Sequence, residues 1–216
     1  MNRKLFWLTL YAIAMALLEA AVVVYLRELY YPGDIRAIFP LRLFNTLDVK
    51  VELAREAATI VMMLSVAFLA VRKNPARIFA AFVYQFGVWD ILYYFWLKVF
   101  IGWPVHWLEW DILFLIPWAW FGPWICPALI ALLFVVWGAI ALSDRFEVTF
   151  TVRSLAVFIV GALAGLVAFL QPAVSFVKQY GIEHIEQFRP GGFWWPVYLV
   201  GLLVMALGLF QTVRKK

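Results

Sequence analysis

The chain has one cysteine, Cys126, and two histidines, His106 and His184, in 216 residues. A lone cysteine excludes an intramolecular disulfide and a thiolate zinc cluster, and two histidines exclude a three-histidine zinc site. Charge is scarce as well: Asp, Glu, Lys and Arg make up 14% of the chain, against about 25% in soluble domains. No Gly/Ser-rich linker, no internal repeat and no second-domain boundary is visible. There is no His-Glu-x-x-His, Glu-x-x-His, Cys-x-x-Cys-His or Gly-x-Ser-x-Gly spacing. Gly191-Gly192 ahead of Phe193 reads as a helix-start turn rather than a phosphate-binding loop.

What fills the chain instead is apolar. Hydrophobic residues reach 66%, with 12 tryptophans and 20 phenylalanines, and the mean hydropathy is +0.91. Too little polar sequence remains to coat a globule of this size. An ordinary cytosolic enzyme, a disordered chain, a secreted disulfide scaffold and a nucleic-acid binder are all excluded. The net charge of +5 does not signal nucleic acid, because the basic excess sits at short caps between apolar runs, where it orients a membrane protein.

A membrane-crossing helix needs about 20 mainly apolar residues. On that measure the chain reads as a single all-α integral membrane domain over 1–216, a bundle of six transmembrane helices at about 5–27, 52–72, 77–101, 124–142, 154–171 and 193–213. Arg3 and Lys4 ahead of the first run resemble a signal peptide. The run is too long for one and no polar cleavage region follows, so an uncleaved helix is expected. Three segments do not read as spans. Residues 34–44 carry Arg36 and Arg42 among apolar neighbours, which predicts an interfacial helix. Residues 103–121 are crowded with tryptophan and broken by Pro104 and Pro117, which predicts a re-entrant or interfacial element. Residues 171–192 form the third outer segment. Gly161 and Gly165, four apart, predict close helix packing.

The caps at residues 1–4, 72–77, 143–153 and 212–216 hold ten Lys or Arg and two acids, Asp144 and Glu147. Six spans put all four on one side, and the positive-inside rule makes that side cytoplasmic. Both termini are then expected in the cytoplasm of a multi-pass protein of the cell (inner) membrane, with the aromatic, acidic segments outside.

Charge inside a span is costly, roughly 2.5–3.5 kcal/mol at the bilayer centre on insertion scales, and it marks a site by default. Glu19 lies in the first span; Glu52, Arg55 and Glu56 open the second on a shared face; Asp90, Tyr94 and Lys98 repeat at four-residue spacing on the third. The outer segments add His106 and Asp111. Trp-Asp-Ile-Leu occurs twice, at 89–92 and 110–113, so Asp90 and Asp111 stand in like contexts. Asp90 has no basic residue within one turn, so its partner must come from another helix, a ligand or a proton. It is expected to face the interior near Glu56, Arg55 and Glu19.

Two functional readings follow. The first is a binding or transport protein, or a subunit of a membrane complex. Its outward acidic, aromatic-lined pocket, built from Glu19, Glu52, Arg55, Glu56, Asp90, Tyr94, Lys98, His106 and Asp111, would take a lipid-like molecule, a cofactor or a cation. The alternative is a membrane-embedded enzyme acting on a lipid-like substrate, with carboxylates as acid and base or as metal ligands. Metal candidates are Glu56, Asp90, His106, Asp111 and His184, chosen by donor type and not by spacing. No cofactor is named by any motif. The expected partners are membrane lipids and a second copy or partner membrane subunits, with no nucleic acid.

Overall fold

The computed structural model describes residues 3–42, 45–72, 74–114 and 119–216. It is predominantly helical. Helix α1 spans Arg3–Tyr30, α2 Thr46–Ala70 and α3 Pro75–Ile101; strands β1 (Trp110–Phe114) and β2 (Trp120–Pro123) follow. Then come α4 (Ile125–Leu142), β3 (Phe146–Val148), α5 (Val152–Tyr180), a short 3-10 helix (Ile182–Gln187), α6 (Trp195–Phe210) and β4 (Val213–Lys215). Helices α1 to α5 are each long and apolar enough to cross a membrane, whereas α6 is apolar but has 16 residues, about 24 Å at 1.5 Å per residue. Large apolar side chains cover the outer faces: Leu18, Leu69 and Leu203 are 62%, 70% and 65% exposed. Water would penalise such a surface and lipid does not.

Local signals set the helix starts. Asn45 accepts a hydrogen bond from the Asp48 amide at 2.9 Å to cap α2, and Asn74 does the same for Arg77 at 3.1 Å ahead of α3, with Pro75 at the first position. Thr151 and Ser154 form a reciprocal cap on α5. Gly102, with φ 70°, closes α3 in the left-handed conformation.

Glycine also decides how closely the helices approach. A Cβ on Gly87 would lie 2.5 Å from the Ala131 carbonyl oxygen, and one on Gly138 would lie 2.7 Å from the Tyr84 Cβ. These two positions seat α3 against α4. Helix α5 pairs with α6 in the same way through Gly161 and Gly201.

The described parts of the basic caps at 72–77, 143–153 and 212–216 come together at one end of the bundle. Arg77 at the start of α3 donates to Asp144 at 3.3 Å and to the Ser143 and Phe146 carbonyls at 3.2 and 3.3 Å. There β3 pairs antiparallel with β4, Glu147 opposite Arg214. The Thr149 amide donates to the Thr212 carbonyl at 2.9 Å. The opposite end carries the β1–β2 hairpin, which lies beside the C-terminal ends of α1 and α3 and the later turns of α5.

Two expectations are revised, and one segment takes a form the sequence left open. No helix forms over residues 34–42: turns and irregular backbone occupy the segment, with Ile38 and Leu41 buried. Pro32, Gly33 and Pro40 break helical hydrogen bonding there; Leu43 and Phe44, the end of the expected element, lie outside the described residues. The tryptophan-rich segment holds an antiparallel hairpin, Asp111 opposite Gly122. Its aromatic and branched residues favour strand, and its prolines prevent a helix; residues 115–118 lie outside the described ones. Finally, α5 does not stop before Pro172 but runs through it to Tyr180. The proline forfeits one backbone bond, while Ala173 and Phe176 pack against Phe121 and Phe188, which outweighs it.

Candidate functional site: a charged cavity at the hairpin end

Helices α1, α2 and α3, the hairpin, the 31–42 segment and the later turns of α5 enclose a cavity of about 440 Å³. One wall is charged: Glu19 and Arg27 from α1, Glu52, Arg55 and Glu56 from α2, Asp90 from α3 and Asp111 from β1. The other is apolar, with Ile38, Leu41, Ile112, Phe121 and Ala173.

Two ion-pair groups organise the charged wall. Arg55 lies between Glu19 and Glu52, with its Nε 2.5 Å from the Glu52 carboxylate and its Nη1 against Glu19. Arg27 Nη2 sits 3.2 Å from Asp111 Oδ1 with both side chains almost wholly buried, and its guanidinium stacks 4.1 Å from the Trp103 ring centre. Asp90 belongs to neither group. Among the described residues it has no ion pair and no hydrogen bond, and it faces the cavity beside Trp89.

A second cavity of about 250 Å³ adjoins the first. The two share Trp89, Asp90, Leu113 and Phe114. Beyond that junction the second cavity is lined by apolar side chains of α3, α4, α5 and α6, such as Phe86, Phe134, Leu166 and Met205. Gly165 also lines it, and a Cβ there would meet nothing within 4 Å. Gly161 is different: its Cβ would collide with Met205 N at 2.3 Å. Only Gly161 of the pair serves its own close contact, while Gly165 opens space.

Seven of the expected pocket residues meet here: Glu19, Glu52, Arg55, Glu56, Asp90, Tyr94 and Asp111 all line the first cavity. The two Trp-Asp-Ile-Leu segments adopt different structures, one helical and one extended, yet deliver Asp90 and Asp111 to the same space. Lys98 does not join them. Its side chain turns to the end of α3 and donates to the Gly102 and Pro104 carbonyls at 3.1 and 2.7 Å, the favourable place for a cation. His106 is exposed before the hairpin, its amide donating to Glu109 at 3.2 Å. His184 is exposed in the 3-10 helix, 3.6 Å from Glu183. Of the metal candidates, Glu56, Asp90 and Asp111 line the cavity, and the two histidines lie away from it. Among the described residues no three His, Cys, Asp or Glu side chains are placed to hold a metal ion.

Arg27, Trp89 and the apolar wall from the 31–42 segment escaped sequence reasoning. Arg27 had a usable signal. It follows Glu19 and Val23 at four-residue spacing, so all three share one face of α1, and all three line the cavity. The part of the apolar wall from the 31–42 segment had none, because that segment has no regular structure.

Burial pushes the Asp111 carboxyl up to about 6, and the Arg27 charge offsets only part of that rise. The ordinary value is 3.8, so the fold favours the protonated form. That contribution is complete below about pH 4 and is lost as pH rises through about 6. Between those limits wild-type stability is expected to fall relative to Asp111→Asn by about 3 kcal/mol, at 1.36 kcal/mol per pH unit. Thermal unfolding of both proteins across the pH range measures the difference, and a constant difference would refute the assignment.

No family model matches the chain, and no curated protein or solved structure matches it either. The site's own chemistry must therefore carry the functional reading.

Proposed function

We propose that the chain is an integral membrane binding protein whose cavity at the hairpin end holds a lipid-like molecule. It crosses the cell membrane six times with both termini in the cytoplasm. The cavity carries this reading: it sets buried charge against an apolar wall and continues into a second, almost wholly apolar space. A molecule that is polar at one end and apolar at the other matches that division. A small ion has no use for the apolar wall.

The orientation rests on charge. The gathered basic caps mark the cytoplasmic end by the positive-inside rule, so the cavity belongs to the outer half. Helix α6 follows α5 back from the hairpin end to the basic end, and the paired β3 and β4 strands lie where both α4 and α6 finish. Single-cysteine labelling checks this in a Cys126→Ser background. His184→Cys is expected to react with a membrane-impermeant maleimide from outside, and Glu147→Cys only after the membrane is opened. The reverse pattern refutes the orientation.

Binding is tested by what the purified protein retains. Extraction after delipidating washes is expected to release about one lipid-like molecule per chain. Ala173→Phe, which projects a ring into the cavity, should lower that amount at least fivefold. Equal retention by both proteins, or none by either, refutes the reading. If the purified protein consumes the retained molecule, the embedded-enzyme reading replaces it.

A further inference from the structure

We propose that the two cavities form one channel for a single-chain amphiphile whose head carries a protonated amine and a hydroxyl. The amine pairs with Asp90 and the chain runs into the apolar cavity. This rests on the binding reading above and specifies the ligand class.

Charge at the head end leads to the amine. Five carboxyl groups and three guanidinium groups line the first cavity. Glu19 and Glu52 are taken by Arg55, and Asp111 by Arg27. Asp90 is left at the junction with no basic side chain to neutralise it among the described residues, and the charges acting on it are those of Asp111 and Glu19. An anionic head would meet this negative excess unfavourably, whereas an ammonium group supplies the missing partner. Trp89, Tyr93 and Tyr94 also line the cavity, and an aromatic ring attracts a cation held near it.

The hydroxyl follows from an independent feature. Trp89 is 7% exposed and its indole N–H is buried with no hydrogen-bond partner among the described residues. Trp89 lines both cavities next to Asp90. A buried donor without an acceptor is costly, and an oxygen one or two bonds from the amine carbon would satisfy it while the amine meets Asp90. The tail follows from the second cavity, where Phe86, Phe134, Leu166 and Met205 offer nothing polar to a head group.

N-dodecylethanolamine combines these features in one probe. The full chain is placed in nanodiscs of uncharged lipid and titrated with N-dodecylethanolamine, dodecanoate or ethanolamine, and bound adducts are counted by native mass spectrometry. One saturable N-dodecylethanolamine adduct is expected, with dodecanoate and ethanolamine at least tenfold weaker. Asp90→Asn should weaken N-dodecylethanolamine at least tenfold and Asp90→Glu should restore most of it. Gly165→Leu, which fills the tail space without a backbone collision, should weaken N-dodecylethanolamine at least fivefold and leave ethanolamine unchanged. If Asp90→Asn does not fold, Trp89→Phe tests the head end, with at least a threefold loss expected. Dodecanoate binding as tightly as N-dodecylethanolamine overturns the amine head and leaves lipid binding standing. An unchanged affinity in Gly165→Leu overturns the continuous channel. No saturable adduct with any of the three overturns the binding reading itself.

Discussion

Arg27→Ala is expected to destabilise the protein by about 3–5 kcal/mol at pH 8, the cost of stranding one partner of a buried ion pair. The pair joins the end of α1 to β1 across 84 residues of sequence, so its loss removes the charged contact between α1 and the hairpin. Arg27 also stacks on Trp103, whose side chain is fully buried, and alanine removes that contact as well. At pH 5 the penalty should shrink, because an unpaired Asp111 can take up a proton instead of remaining charged. Lysine keeps the charge but lacks the planar fork and the stacking face, so Arg27→Lys should recover less than half of the loss. The double variant Arg27→Ala with Asp111→Asn should be more stable than Arg27→Ala alone, since no buried charge is left over. Thermal unfolding in one detergent at pH 5 and pH 8 measures all four proteins. A cost below about 1 kcal/mol for Arg27→Ala at pH 8 would show that the pair fastens nothing.

Gly161→Leu should do comparable damage at a site without charge. A Cβ at Gly161 would lie 2.3 Å from Met205 N and 2.7 Å from the Gly201 carbonyl oxygen. Both are backbone atoms, so no side chain can rotate away, and α5 and α6 must separate along their contact. Overpacking of this kind costs about 1–3 kcal/mol even where neighbours can adjust; here they are helix backbone, and the upper end or beyond is expected. Gly165→Leu, one turn later, provides the internal control. Its added atoms enter the apolar cavity, so its melting temperature should stay within a few degrees of wild type. Equal melting temperatures for the two variants would show that α5 and α6 do not meet at Gly161.

Some of this was legible before any coordinates. Apolar length and the cost of unpaired backbone in lipid make helices the economical solution, so the five long apolar helices could be placed from hydropathy alone, and α6 as a shorter apolar helix. Helix periodicity likewise grouped Glu52 with Arg55 and Asp90 with Tyr94, since residues three or four apart must share a face. The element ends were less legible. Asn45 starts α2 well before residue 52, and α5 continues through Pro172, because capping and packing against neighbours, not hydropathy, decide where a helix stops.

The sequence by itself determined that charged groups would be buried and which of them share a helix face. Those are consequences of composition and of a 3.6-residue repeat. Only the tertiary structure decided their partners. Arg27 found Asp111 and Arg55 found Glu19 across long stretches of chain, whereas Asp90 was left facing a cavity, because a pairing between elements depends on how they cross and not on either sequence alone. The hairpin was decided the same way. Its tryptophans suit an interfacial helix as well as a strand, and it is packing against α5, where a Cβ on Gly122 would fall 3.0 Å from the Phe169 Cδ1, that settles the choice.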